Sequence, residues 1–254
     1  GISTTLDDFQ KVDVEVLSRR REAIIGSEMG TGKSLEAIAY AQERGLGKVL
    51  IVSTKSGAYA TWPRELRRHL DGTPSMAVLD GQKFRNDQLL REASQSRWFV
   101  TTYATAARYI DQLREMNLDL VVLDECHKIN NQDTEQSRTL TTLDSPHKLA
   151  MSGSLFKNDR KELFSVLNWL FPEDFPDKKA FVRNYCNSEK GLGRLQYELR
   201  RRMVMRFKDD VLDLAPPEHF RETVELEGET LGDYLRMEND FLQWHEEEGR
   251  KMFG

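Results

Sequence analysis

The residues Gly26-Ser-Glu-Met-Gly-Thr-Gly-Lys-Ser34 have the types and spacing to hold a chain of phosphates. Gly30 and Gly32 can adopt positive φ and leave no Cβ between the backbone N–H groups and an anion. With Thr31 between them they form the cradle, Lys33 can place a point charge near the β- and γ-phosphates, and Ser34 offers a hydroxyl to Mg²⁺. The loop follows the apolar run 23–25 and opens the amphipathic stretch 35–41, so a helix N-terminus would add its partial positive charge. A strand-to-helix connection that is merely glycine-rich is the plain alternative. The spacing departs from G-x-x-x-x-G-K-[ST] at its first place, where Ser27 stands and Gly26 falls one residue early.

A second pair of groups able to do chemistry follows the apolar run 120–123, where Asp124 and Glu125 are adjacent. Asp124 could hold Mg²⁺ through its water shell, and Glu125 could orient and deprotonate an attacking water. Two acids after a strand are as often a solvated turn or a helix cap. Together with the phosphate loop, they read as the hydrolytic half of a nucleoside triphosphate site.

Such groups must be delivered to one place. Short apolar runs at 48–53, 76–79, 98–101, 118–123 and 147–151 alternate with helix-like stretches at 62–70, 82–93, 105–116 and 134–143. Runs apolar on both faces, separated by helices, predict an α/β fold with a mainly parallel sheet covered by helices on both faces. In such sheets ligands bind beyond the carboxyl ends of the strands, where the phosphate loop would lie. A further helix is expected over 6–17. From 160 onward the pattern turns helical, over 160–170, 177–186 and 192–202, and the tail 216–254 reads as a strand followed by an acidic helix.

Composition narrows the class. The 254 residues carry a formal net charge of −5, so the chain as a whole is not a basic nucleic-acid binder. Basic residues concentrate locally, at Arg64, Arg67 and Arg68 and between Arg194 and Lys208; each cluster is either a solvated face or a DNA-facing one. Two cysteines, Cys126 and Cys186, exclude a disulfide framework and suit a reducing, intracellular compartment: cytoplasmic for a bacterial or phage protein, nuclear for a eukaryotic one. No apolar run approaches the length of a membrane span, and no membrane partner is expected.

Asp124-Glu-Cys-His127 resembles the acidic box of superfamily 2 helicases, with Lys33, Asp124 and Glu125 as its Walker A and Walker B residues. Further segments narrow the resemblance to the SNF2-like ATPases. Phe9-Gln10 resembles the glutamine motif that reads adenine. The run 50–56 through Trp62-Pro-Arg-Glu65 is similar to the next family motif, Thr102-Tyr103 to the strand-end residues that meet nucleic-acid backbone, and Ser152-Gly153-Ser154 to the segment that couples ATP state to DNA grip. The stretch 162–172 is close to a signature particular to SNF2 proteins, and Lys208-Asp-Asp-Val211 with Pro216-Pro217 match the end of that family's first lobe. Departures are Lys55 for the usual Pro, Cys126 for Ala, Ser152 and Ser154 for Thr, Phe207 inside an Arg pair and Glu218 for Lys.

The resemblance implies a RecA-like P-loop lobe over 1–159, a helical protrusion over 160–215, and a segment 216–254 leading toward a second RecA-like lobe. It implies ATP and Mg²⁺ held by Gln10, Gly30, Thr31, Gly32, Lys33, Ser34 and Asp124, nucleic-acid contacts at Lys55, Ser56, Thr102 and Tyr103, and coupling through His127, Ser152, Gly153 and Ser154. Its partners would be duplex DNA and a second lobe, in cis or as a separate polypeptide, because the second lobe supplies the arginines that stabilise charge on the γ-phosphate. Two other readings stay open: a non-catalytic nucleotide-binding docking module, and the first lobe of an RNA helicase.

Overall fold

The computed structural model describes residues 1–79, 91, 94–130, 134–155 and 159–211. The described residues belong to one compact unit. Most of the helix expected over 82–93 lies outside the described residues, as do Asn158, Pro216-Pro217 and the whole of 216–254.

Seven strands form a single sheet: β1 Glu22–Ile25, β2 Val49–Ser53, β3 Met76–Leu79, β4 Trp98–Thr102, β5 Leu120–Asp124, β6 His147–Met151 and β7 Met203–Val204. Their order is β3-β4-β2-β5-β6-β1-β7 and every pairing is parallel. β2, β4 and β6 are buried over their full length, which is why they read as unbroken apolar runs and not as alternating ones. β7 has two residues, too short to carry a periodicity, and was not legible as a strand.

Helices cover both faces, and strand alternation assigns side chains to each. Ile25, Val49, Ile51, Val100 and Val122 pack with Leu17, Ile38, Tyr40, Trp62 and Leu66, which come from the layer α1 Asp8–Ser18, α2 Lys33–Glu43 and α3 Trp62–His69. The intervening residues Ile24, Leu50, Val52, Phe99 and Val121 face the other layer. That layer comprises α4 Tyr103–Arg108, α5 Ile110–Arg114, α6 Glu135–Leu140 and α7 Leu163–Leu170. The single helix expected over 105–116 is broken at Tyr109, whose φ of −113° and ψ of 30° leave the helical region.

Beyond α7 come α8 Lys178–Phe181, α9 Glu189–Arg200 and α10 Lys208–Val211. α9 begins earlier than its apolar spacing suggests because Ser188 caps it, accepting from the Gly191 amide at 3.0 Å. α7 is fixed to the sheet layer by polar bonds as well as by its apolar face. Ser165 Oγ donates to the Asn130 carbonyl at 3.0 Å and Trp169 Nε1 to the Leu143 carbonyl at 2.8 Å. Among the described residues no helix is long and apolar enough to cross a membrane.

The register sets up the site. Ile25 pairs with Met151, and Met151 with Asp124; Val52 pairs with Leu123, placing Ser53 level with Asp124. The chain therefore leaves β1, β6, β5 and β2 at one height on the carboxyl edge, carrying the phosphate loop, Ser152, Glu125 and Thr54 respectively.

Candidate nucleotide-binding site

The phosphate loop turns through Gly30 at φ 87° and Gly32 at φ 89°, a left-handed conformation that a Cβ would strain. Lys33 Nζ and Thr31 Oγ1 both donate to the Glu28 carbonyl at 2.9 Å, drawing the loop into a closed turn. Buried Gln10 clamps it from α1: its amide donates to the Thr31 carbonyl at 3.1 Å and its oxygen accepts from the Asp7 amide at 3.0 Å. A Cβ at Gly32 would lie 2.3 Å from Gln10 Nε2, so the glycine also serves this close approach.

The return of the chain after α9 backs the loop. Gly26 N–H bonds the Val204 carbonyl and Glu28 N–H the Arg206 carbonyl, each at 2.9 Å. Ser27, the departure from the loop's usual spacing, is fully buried and accepts the Arg206 amide at 3.1 Å. Lys208 N–H donates to Glu28 Oε2 at 2.7 Å. Its side chain lies against Gly30, with Cε 3.4 Å from a Cβ there, and brings a second ammonium beside Lys33. Sequence reasoning placed Lys208 in a basic run and missed this; the short β7 that carries the chain back to the loop left no signal.

Asp124 is oriented through one oxygen. Oδ2 accepts from Ser53 Oγ at 2.7 Å and from Trp62 Nε1 at 2.8 Å. The Asp124 carbonyl accepts from Tyr103 at 2.7 Å. Oδ1 accepts no hydrogen bond from the described residues. Ser53 and Trp62 are positioning residues; Trp62 stood out in sequence as part of a motif, but nothing there linked it to the acid.

Glu125 has φ 55° and ψ 51°, a left-handed conformation that costs a non-glycine residue of order 1–3 kcal/mol and that clusters at working sites. It turns the chain sharply off β5. Glu125 Oε2 lies 3.2 Å from His127 Nδ1, and Ser152 Oγ donates to the same oxygen at 3.5 Å. His127 Nδ1 is also 3.3 Å from Ser152 Oγ, and the Ser154 amide donates to Ser152 Oγ at 3.2 Å. The four coupling candidates are thus brought together: a Cβ on Gly153 would lie 3.2 Å from the Met29 amide nitrogen and 3.4 Å from Lys33 Nζ.

The residues present fit Mg²⁺ as nucleotide enzymes hold it. Among the described residues nothing donates to Asp124 Oδ1 and no group of three or more His, Cys, Asp or Glu could hold a metal; Asp124 is half-buried, and Ser34 stands half-exposed at the start of α2. Mg²⁺ retains waters and takes phosphate oxygens with one or two protein ligands, so a dedicated cage is not required.

Burial lowers the Lys33 pKa, an effect opposed by the carboxylates of Glu125, Asp124 and Glu36. Glu36, one turn further along α2, is fully buried with both carboxylate oxygens unpartnered. Burial and then the Asp13 carboxylate push its pKa up to about 8, against the opposing charges of Lys33 and Arg206. Asp13 is held by Arg206, whose Nε and Nη2 both reach it, Nη2 at 2.6 Å.

The nucleic-acid candidates divide. Lys55 and Ser56 are exposed at the end of β2. Thr102 and Tyr103 are each 5% exposed; the Thr102 hydroxyl caps α4 by accepting the Thr105 amide at 3.2 Å, and the Tyr103 hydroxyl is engaged with Asp124. The basic run after 194 also divides: Arg202 pairs with Asp174 and Glu198, and Arg206 with Asp13.

The family model described as SNF2-related domain matches residues 9–250. The chain is 27% identical over 225 residues to chromodomain-helicase-DNA-binding protein 6 of Rattus norvegicus, covering 82% of this chain and 8% of that protein. It is likewise 27% identical to chromodomain-helicase-DNA-binding protein 8 of Homo sapiens, over 82% of this chain and 9% of that protein. It thus spans less than a tenth of the length of the relatives it matches. The Sulfolobus solfataricus SWI2/SNF2 ATPase core in complex with dsDNA superposes with a TM-score of 0.73 at 20% identity, over 84% of this chain and 47% of that one, which establishes a RecA-like fold. A glycine-rich loop, an acid pair and the loop 152–154 at one edge of a sheet of this fold, with a family match over nearly the whole sequence, place the chain in the SNF2-related domain family.

Proposed function

We propose that this chain is the ATP-binding first lobe of an SNF2-like, ATP-dependent DNA translocase, which hydrolyses ATP with Mg²⁺ once a second RecA-like lobe, in cis or as a separate polypeptide, completes the site. The observation that supports this reading is the register of β1, β6 and β5, by which the glycine-rich loop after Ile25, Ser152 after Met151 and the pair Asp124–Glu125 leave the sheet at one height on its carboxyl edge.

In this reading the loop amides and Lys33 bind the β- and γ-phosphates, Ser34 and Asp124 Oδ1 hold Mg²⁺, and Gln10 secures the loop on its adenine side. Bound Mg²⁺ supplies charge neutralisation on the phosphates. Glu125 accepts the proton of the attacking water, while His127 and Ser152 on its Oε2 register which oxygen is engaged and pass that state to Gly153 and Ser154. Lys55 and Ser56 meet the phosphate backbone of duplex DNA, with Thr102 and Tyr103 shaping the edge behind them. Residues 1–159 act as the lobe proper, 160–215 as a helical protrusion and 216–254 as the path toward the second lobe.

Transition-state charge in such motors is stabilised by an arginine worth about 10³–10⁵ in rate. Phosphate release by this chain alone should therefore be slow and little changed by duplex DNA, and should rise when a second-lobe polypeptide is added. Strong DNA stimulation of the isolated chain would overturn the need for a second lobe. Tight ATP binding with no turnover after complementation would favour a docking module, and preference for RNA over duplex DNA would favour an RNA helicase.

A further inference from the structure

At the edge of the sheet opposite the phosphate loop, two basic segments far apart in sequence meet. Arg20 and Arg21 precede β1, and Arg201 and Arg202 precede β7. β1 and β7 pair in parallel with Ile24 against Met203, and the Ile24 amide donates to the Arg202 carbonyl at 2.9 Å. That register sets the two arginine pairs side by side at the amino ends of their strands. Between them is a concavity of about 340 Å³, completed by Glu22, Phe171 and Asp174.

Guanidinium groups gathered in this way repel one another unless carboxylates or an anion answer them. One is answered. Arg202 donates to Asp174 at 2.8 Å and to Glu198, and lies over the rings of Phe171 and Phe175 at 5.0 and 5.3 Å. It is a fixed wall of the pocket. Arg20, Arg21 and Arg201 have no ion-pair partner among the described residues, and Arg201 lies over the Tyr197 ring at 5.5 Å. With Asp174 already engaged, Glu22 is the other carboxylate that lines the pocket with these three arginines. Burial, and then repulsion from Arg202 and Arg201, pulls the Arg20 pKa down, as expected where cations are in excess.

We propose that this pocket binds a small phosphate-class oxyanion, such as pyrophosphate or the phosphoryl end of a small ligand, independently of the nucleotide site. The planar fork of arginine matches phosphate oxygens two at a time, and three arginines without an ion-pair partner among the described residues line this one concavity. A discrete anion fits better than a continuous nucleic-acid backbone. The adjoining surface carries Glu22, Asp144, Glu173 and Asp174 against Arg21 and the largely buried Lys148, so a strand passing through the pocket would run its next phosphates over a surface with more carboxylates than cations.

Calorimetric titration with pyrophosphate at fixed ionic strength tests this, using Lys33→Ala protein so that the phosphate loop is weakened. One site should persist, and adding Arg20→Gln and Arg201→Gln should weaken it about tenfold or more, as expected for losing two charge-assisted contacts. Arg19→Gln, which alters a neighbouring arginine paired with Glu15 outside the pocket, should leave it unchanged. Because the double substitution removes mutually repelling charges, the ligand-free melting temperature should not fall, and the upward shift given by pyrophosphate should disappear. The proposal is overturned if Lys33→Ala alone abolishes binding, or if the double substitution leaves binding intact. It is equally overturned if that substitution weakens duplex DNA binding while pyrophosphate does not bind at all.

Discussion

Trp62 and Asp124, 62 positions apart, are joined by a hydrogen bond of 2.8 Å from the indole N–H to Oδ2. Because Ser53 donates to the same oxygen, both donors engage Oδ2, and Oδ1 accepts no hydrogen bond from the described residues. Trp62 is fully buried, so the bond cannot shift without moving α3. Trp62→Phe keeps most of the ring and removes the donor. We expect a stability loss of about 1.5–3 kcal/mol, as for a hydrogen bond to a charged group. Affinity for ATP in the presence of Mg²⁺ should drop several-fold while Mg²⁺-free affinity is nearly unchanged. Fluorescent-nucleotide titrations with and without Mg²⁺ check this, and equal losses in both would show that Trp62 acts only through packing.

Glu125→Gln should preserve nucleotide binding and abolish turnover. The amide retains the shape but cannot take a proton, and general-base loss costs about 10²–10⁴ in rate. The measurement is single-turnover phosphate release with the second lobe supplied. Retention of more than a tenth of the rate would remove Glu125 from its role.

Gly153→Ala tests the contact between the loop 152–154, proposed to couple, and the glycine-rich loop. The new methyl would meet the Met29 backbone nitrogen at 3.2 Å and Lys33 Nζ at 3.4 Å, closer than most Cβ contacts. The loop must give by a few tenths of an ångström. ATP affinity should fall a few-fold with little change in urea midpoint; an unchanged affinity would mean that the loop moves freely.

The Glu36 carboxyl predicts a pH dependence of stability. Its folded pKa of about 8 lies above the ordinary value of 4.5, so the folded chain binds more protons than the unfolded one between those values. Stability from this group is complete below pH 4.5, declines as pH rises and levels off above about 8. Glu36→Gln, which mimics the neutral acid, should remove that decline. The stability difference between Glu36→Gln and the parent should grow with pH across urea denaturations at pH 5 to pH 9. A difference that does not vary with pH would contradict a neutral buried acid.

Arg206→Ala should destabilise the chain by about 2 kcal/mol, because it leaves Asp13, with a side chain 2% exposed, unpaired beside Glu36. The loss is set below that of a fully buried pair because the Arg206 side chain is 34% exposed. Urea unfolding reads the value, and a loss below about 0.5 kcal/mol would show that water replaces the arginine.

The sequence by itself determined the parts whose physics is local. Gly30, Gly32, Lys33 and Ser34 lie within five residues, Asp124 and Glu125 are adjacent, and apolar runs alternating with amphipathic stretches dictate strands between helices. A parallel sheet with a phosphate loop on its carboxyl edge follows from those patterns, and the segment 162–172 pointed to the family. The break at Tyr109, the early start of α9 and the two-residue β7 escaped because caps and very short strands carry almost no periodic signal.

Only the tertiary structure decided what the long-range register brings together. Ser27 read as a mere substitute for glycine, yet it accepts the Arg206 amide; Gln10 closes on the Thr31 carbonyl; Lys208 returns to Gly30; and Thr102 and Tyr103 turn inward. The shared Oδ2 of Asp124 and the meeting of Arg20 with Arg201 depend on the same cause. Side-chain period in a strand fixes which face a residue takes, but the height at which parallel strands pair is set by contacts across the whole sheet. That height aligns Ile25, Met151 and Asp124 at one edge and the arginine pairs at the other.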